Sequence, residues 1–320
     1  MQTGTGRSIS PPNHCSRRGF FRVTLGIVAC CTWRIRQGHA EGEQAPSKPR
    51  YPVDCCQVDG KLFVTDIHSH TVWRWDGERY AAFYRGTKRY RTPLYRPWDI
   101  APRGKEGLVV SDPGTMDIWL LRFDGTVRPF SARLTRPEED KELDVREQRF
   151  AGVLDKPMAV AVTAEGKVFV ADLGLHAVYE FASPGEPPRE LAKVPAPRGL
   201  TIDTDNSLVV VSHGRDALVR IEPDGTTKPI VHGPLAPLDK PSFPHQVVPF
   251  ADGGYLVSDG YAKTLWYVSR EGKVEPYYQG HPLVNPVGLW RNDDGTVLVA
   301  DPRRRQIFRL TPERKLEVVA

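Results

Sequence analysis

One unit recurs six times along this chain, and no other feature narrows its possible folds as much. In each copy a proline (Pro52, Pro97, Pro157, Pro197, Pro244, Pro286) precedes a short apolar strand. Those strands occupy residues 62–66, 108–112, 168–172, 209–213, 255–259 and 297–301. Five of them end in Val-x-Asp, as in Val64-Thr65-Asp66 or Val257-Ser258-Asp259; the fourth reads Val211-Ser212-His213, with His213 in place of the aspartate. The distances from proline to the last strand residue are 14, 15, 15, 16, 15 and 15. Each unit continues with a third strand (Thr71-Val72-Trp73-Arg74-Trp75, for example). A turn follows at Asp76-Gly77, Asp124-Gly125, Asp224-Gly225 or Glu271-Gly272, where glycine supplies the positive φ of a hairpin. A fourth strand then ends the unit. The continuously apolar second strands imply cover on both faces. Four antiparallel strands per period of roughly 40 residues predict an all-β fold, a six-bladed β-propeller of four-stranded antiparallel blades, over residues 51–320. The chain begins that region with an innermost strand and ends it with an outermost one, 315–319. Ring closure is therefore expected from packing of the first blade on the last, without a shared strand.

The chain ahead of the repeats has a different chemistry. Residues 1–40 hold six arginines and no acid, while the remainder carries 38 bases against 39 acids. The formal charge of +5 thus belongs to the leader, and the near-neutral body offers no field for nucleic acid. Ser16-Arg17-Arg18-Gly19-Phe20-Phe21 opens a brief apolar run that stops at Cys31, too short for a transmembrane span. It resembles the twin-arginine export motif, which implies a periplasmic or extracellular protein. Gly38-His39-Ala40 offers a cleavage site after the 1–40 signal, with 41–50 as linker; Ile27-Val28-Ala29-Cys30 offers the alternative of a lipid anchor at Cys30. Only Cys55 and Cys56 follow the leader, and adjacent residues of a strand face opposite ways, so two buried thiols are expected.

The proline, Val-x-Asp and Asp-Gly pattern resembles NHL-repeat propellers, and its Val-Thr-Asp element resembles the related YWTD type. The resemblance spans about residues 51–320.

Antiparallel pairing puts the residues after each proline, the loops after each Val-x-Asp and the connections between blades on one face. The post-proline pairs Val53-Asp54, Trp98-Asp99, Met158-Ala159, Arg198-Gly199, His245-Gln246 and Val287-Gly288 should ring the mouth of the central channel. His68, His70, His176, His213, Tyr261 and Arg303-Arg304-Arg305 lie further out, and long connections rise at 85–96, 131–155 and 232–243. The acidic stretch 137–142 is a candidate lid or a solvated insertion. Candidate ligand-binding residues are Trp98, Asp99, Arg198, His213, His245, Gln246 and Tyr261. Asp54, Asp99, Arg198, His245 and Gln246 together could hold an anionic or polyhydroxylated small molecule, or could be satisfied among themselves and water. The Val-x-Asp carboxylates are expected to bind turn amides. His68-x-His70, if extended, would aim two imidazoles one way, toward a metal.

Two propeller enzyme families share the expected architecture. Peptidyl-hydroxyglycine amidating lyases bind zinc through histidines that follow the blade proline in three blades. Here only Pro244-His245 matches, although Ser258-Asp259-Gly260-Tyr261 resembles a segment of those lyases with a functional tyrosine. Gluconolactonase-like propellers place metal-binding Asn or Asp between proline and glycine, where this chain has Arg198 and Val287. The reading favoured by these departures is an exported recognition propeller, taking a small ligand or protein partner on its loop-rich face. A subunit docked on a redox enzyme is a variant of that reading. The alternative is a hydrolase or lyase with a rearranged site. There His245 is general base, Arg198 stabilises negative charge, and Asp54 and Asp99 orient His245 or bind a divalent cation.

Overall fold

A computed structural model describes residues 46–86, 93–130, 154–250 and 252–320, and all regular structure among them is β. The strands form six four-stranded antiparallel sheets, each from four consecutive strands in chain order. The blades run over residues 52–85, 100–129, 157–193, 197–232, 244–279 and 289–318, numbered 1 to 6 below. Their first strands are Pro52–Val58, Ile100–Arg103, Pro157–Val162, Pro197–Ile202, Pro244–Pro249 and Leu289–Arg291. Each first strand touches that of the next blade, and the sixth touches the first, so the ring is complete. The expected six-bladed propeller is the fold observed.

Burial explains why the second strands read as unbroken apolar runs. Every residue of Val168–Asp172, Leu208–Ser212, Tyr255–Asp259 and Val297–Asp301 is buried. Their side chains feed six hydrophobic clusters, and each cluster lies between two adjacent blades. Burying one Val, Leu or Ile contributes about 1.5–3 kcal/mol, so a blade's apolar surface is stabilised only beside its neighbours. At the closing seam Cys55, Leu62, Val64 and Trp73 of blade 1 pack against Leu298, Ala300 and Ile307 of blade 6. No strand crosses that seam. Cys56 points the other way, into the cluster shared with blade 2. Both thiols are free and buried, and desolvation raises the pKa of each.

The signal segment 1–40, the Cys30 anchor, the insertion 131–153 with its acidic stretch and residues 87–92 lie outside the described residues. Among the described residues, no helix is long and apolar enough to cross a membrane.

Candidate functional site at the channel mouth

The mouth is shaped by one repeated device. Asp66, Asp112, Asp172, Asp259 and Asp301 are fully buried. Each accepts hydrogen bonds both from the residues just before its own proline and from the turn that follows it. Asp112, for instance, accepts the Arg96 and Gly114 N–H groups, each at 2.9 Å. Asp172 does the same with Lys156 and Gly174, again at 2.9 Å. A buried carboxylate facing several N–H donors pins two loops in one place. The turn-amide role expected for these aspartates is the one observed.

Blade 4 corrects the sequence reading. Pro197 pairs with Ser212, whereas Pro157 pairs with Asp172 and Pro244 with Asp259. Ser212, not His213, therefore stands in the aspartate position. The reason lies two residues before the proline, where blade 4 has Pro195, which has no N–H to give a carboxylate. The Ser212 hydroxyl donates to the Pro195 carbonyl at 2.6 Å and accepts from the Gly214 N–H at 3.1 Å. His213 is thereby free to lie on the mouth face.

The ten residues Val53, Asp54, Trp98, Asp99, Met158, Arg198, His245, Gln246, Val287 and Gly288 line one cavity on the axis. The post-proline residues thus converge, but they divide into two groups with different chemistry. Asp54, Asp99 and Gln246 are buried and turned to the neighbouring blades. Asp54 Oδ2 accepts the Ile100 N–H at 3.1 Å, and Asp99 Oδ2 the Val160 N–H at 3.0 Å. Gln246 Oε1 accepts the Leu200 N–H at 3.0 Å, while its Nε2 donates to Asp99 Oδ2 at 3.0 Å. All three N–H groups belong to first strands and stand three residues after a proline. Without these side chains they would be buried and unsatisfied.

Burial, then the charge and hydrogen bond of Asp99, raise the Asp54 pKa well above the carboxylate range. Of the two carboxyls Asp54 is the one whose neutral form is more strongly favoured, and its Oδ1 is buried without a partner. Small residues make room: a Cβ on Gly288 would lie 2.2 Å from Asp54 Oδ1, and one on Gly199 2.4 Å from the His245 carbonyl. The resulting cavity is about 10 Å³, room for about one water. A divalent cation does not suit this donor set. Burial and the charge of Asp99 favour the neutral form of Asp54, and the Asp99 and Gln246 oxygens already face N–H donors. No cluster of three or more His, Cys, Asp or Glu side chains suited to a metal occurs among the described residues.

Above this plug sits a cationic and aromatic group. The Arg198 guanidinium lies 4.6 Å from the Phe243 ring centroid and 5.6 Å from that of Trp98. Its Nε is buried without a partner, and no carboxylate pairs with it among the described residues. Desolvation lowers its pKa to about 10, so it remains a cation at neutral pH. His245 is 8% exposed, and burial, then Arg198 and His213, push its pKa well below the usual imidazole range. His245 is therefore neutral. Its Nδ1 is buried without a partner. Since an orphaned buried N–H is the rarer and costlier outcome, the proton belongs on Nε2, as a donor. His213 is also held neutral, mainly by burial, and its Nε2 donates to the Pro244 carbonyl at 2.7 Å.

Phe243 is the hub that the sequence reading missed. Its ring meets His213 at 4.4 Å and His245 at 5.0 Å edge-on, and stacks on Tyr261 at 5.1 Å. It stands just before Pro244, on the same face as the residues just after it. Had the residues flanking each proline on both sides been weighed, it would have been visible. Gly260 lets the group close up, because a Cβ there would lie 2.5 Å from Asn285 Oδ1 and 3.1 Å from His245 Nε2.

The remaining candidates serve the loops. His68 and His70 lie in a turn, not a strand, and part company: His68 stacks on Tyr51 at 4.5 Å and His70 on Tyr95 at 5.4 Å. The two imidazoles are a surface pair with separate partners, not an aligned chelating one. His176 Nδ1 accepts the Ala196 N–H at 2.9 Å, and Arg304 Nε donates to the Pro282 carbonyl at 2.7 Å.

Sheet order and seam packing define the class: a six-bladed β-propeller with a plugged axis and a cationic aromatic mouth. No protein-family profile matches the chain, and no curated protein matches it in sequence. Solved structures do resemble it. Virginiamycin B lyase from Staphylococcus aureus is 14% identical, with 84% of each chain covered and a TM-score of 0.60. A gluconolactonase from Xanthomonas campestris is 13% identical over 85% of this chain and 87% of its own, with a TM-score of 0.61. A chain of a nidogen/laminin complex is 13% identical over 84% of this chain and 91% of its own, at 0.59. At such identities the likeness is one of fold.

Proposed function

We propose that this chain is an exported recognition propeller whose channel mouth binds a small anionic ligand, with Arg198 as anchor. The observation that carries the reading is Arg198 itself. It is a cation held between two aromatic rings, without a carboxylate, beside a neutral His245 whose Nε2–H is a second donor. Most acceptors nearby are engaged: Asp54 Oδ2, Asp99 Oδ2 and Gln246 Oε1 serve backbone amides of other blades, and of these three side chains only Asp54 Oδ1, buried beneath the mouth, has no partner. A site with free donors at its mouth and mostly occupied acceptors below suits an anion. The arginine-rich, acid-free leader with its Arg17-Arg18-Gly19-Phe20-Phe21 motif supports export to the periplasm or beyond. Isothermal titration of the purified protein with acetate, benzoate, gluconate and inorganic phosphate tests the reading. At least one anion should bind, and Arg198→Gln should weaken that binding by about tenfold or more. Uptake of none of them, or equal binding by the variant, overturns it.

A second reading, a hydrolase or lyase, draws on the buried neutral His245 and on neighbours solved as a lyase and as a gluconolactonase. A structure of the virginiamycin B lyase with a histidine changed to alanine is described as catalytically inactive. In this reading His245 takes a proton from the substrate while Arg198 steadies the negative charge that develops. It requires the other tautomer, with the imidazole proton on the buried Nδ1. Nitrogen NMR of the imidazole separates the two readings directly.

A further inference from the structure

We infer that the ligand is an aryl carboxylate, its carboxylate on Arg198 and His245 and its ring laid against Tyr261. The inference rests on the anion-binding reading and adds the chemical class. Charge comes first. Arg198 is the one cation in the group, because His213 and His245 are both kept neutral by burial. One fixed positive charge matches a monovalent anion better than a phosphate carrying close to two.

Depth comes second. The cavity beneath the mouth has room for about one water, so a ligand cannot descend the axis and must lie across the top. What it would lie on is apolar. Tyr261 is 55% exposed and Leu238 92%, two of the four exposed large hydrophobic side chains among the described residues. Both belong to mouth-face loops: Tyr261 follows Asp259, and Leu238 lies in the connection that ends at Phe243. The Tyr261 ring stacks on Phe243 at 27°, and Phe243 in turn carries the guanidinium, so the platform runs unbroken from the cation to solvent. Such a surface rewards a flat ring attached to the anion. A polyol would find Asp99 and Gln246 already bonded within the axis, and the one unpartnered carboxyl oxygen, Asp54 Oδ1, buried beneath the mouth.

The test uses calorimetric titration of the whole chain with 1-naphthoate, benzoate, acetate and inorganic phosphate. The expected order is naphthoate, then benzoate, then acetate and phosphate, with naphthoate tighter than acetate by about thirtyfold or more. Tyr261→Ala should weaken naphthoate about fivefold and leave acetate unchanged. If acetate binds as tightly as naphthoate and Tyr261→Ala is silent, or if phosphate binds tightest, the aryl assignment falls while the anion site stands. If no anion binds, the site reading itself falls. Should Tyr261→Ala lose its fold, the preference of the parent protein among the four anions decides alone.

Discussion

Ser212 donates a 2.6 Å hydrogen bond to the carbonyl of Pro195, in the one blade where an aspartate would have met no N–H at that place. The two residues compensate each other: proline removes the donor, and serine replaces the acceptor with a donor of its own.

Ser212→Asp should therefore destabilise the protein by about 2–4 kcal/mol, because a buried carboxylate would face the Pro195 carbonyl. Pro195→Ala combined with Ser212→Asp should recover part of that loss by restoring an N–H. Urea unfolding of the parent and the two variants reads both effects. A single variant as stable as the parent would refute the compensation.

Asp54 and Asp99 should respond oppositely to the same chemical change. Burial and the charge of Asp99 favour the neutral form of Asp54, and an uncharged amide keeps an oxygen for the Ile100 N–H, so Asp54→Asn should lie within about 1 kcal/mol of the parent near pH 7. Asp99 accepts through both oxygens, from the Ile100 N–H at 2.7 Å and the Val160 N–H at 3.0 Å. Any orientation of Asn at that position sets an NH₂ against a donor, so Asp99→Asn should cost about 2–4 kcal/mol. Equal losses in the two variants would contradict this difference between the two carboxyls.

Acidification should weaken the fold through His245. Its folded pKa lies well below 6.5, so beneath that value the unfolded chain takes up a proton that the native chain refuses. Stability held above pH 6.5 is then lost as pH falls toward the folded pKa, by up to about 1.4 kcal/mol per pH unit. Asp112, raised to about 6 by burial, has the opposite sign: the native chain keeps its proton longer, and stability declines as pH rises from about 4 to 6. Comparing the parent with His245→Gln at pH 5 and 7.5 isolates the histidine. Its advantage over the variant should shrink at the lower pH.

The blade count, the strand order and the ring of post-proline residues were legible in the sequence because each rests on spacing within one unit. Offsets of 14 or 15 recur wherever Val-x-Asp recurs. Blade 4 was misaligned by one residue because the apolar run 209–211 continues into Ser-His, and the offset of 16 was taken with the histidine as endpoint. Strand pairing removes the anomaly by setting Pro197 opposite Ser212. The separation of plug from mouth was not legible. Asp54 reaches Ile100, Asp99 reaches Val160 and Gln246 reaches both Leu200 and Asp99, so each contact spans tens of residues and depends on which neighbour the ring supplies. Local pattern reports that a polar side chain enters the axis, but not whose amide it will find there.

Because blades 6 and 1 share no strand among the described residues and pack through side chains, which blade comes first in the chain is an accident of threading. Between blades 4 and 5 the chain steps from an outermost strand to the next innermost one across residues 233–243. A tether of similar span from residue 320 to residue 46 would make the same step at the seam. New ends could then be opened at another crossing, and the circle would keep its six wedges in a rotated order.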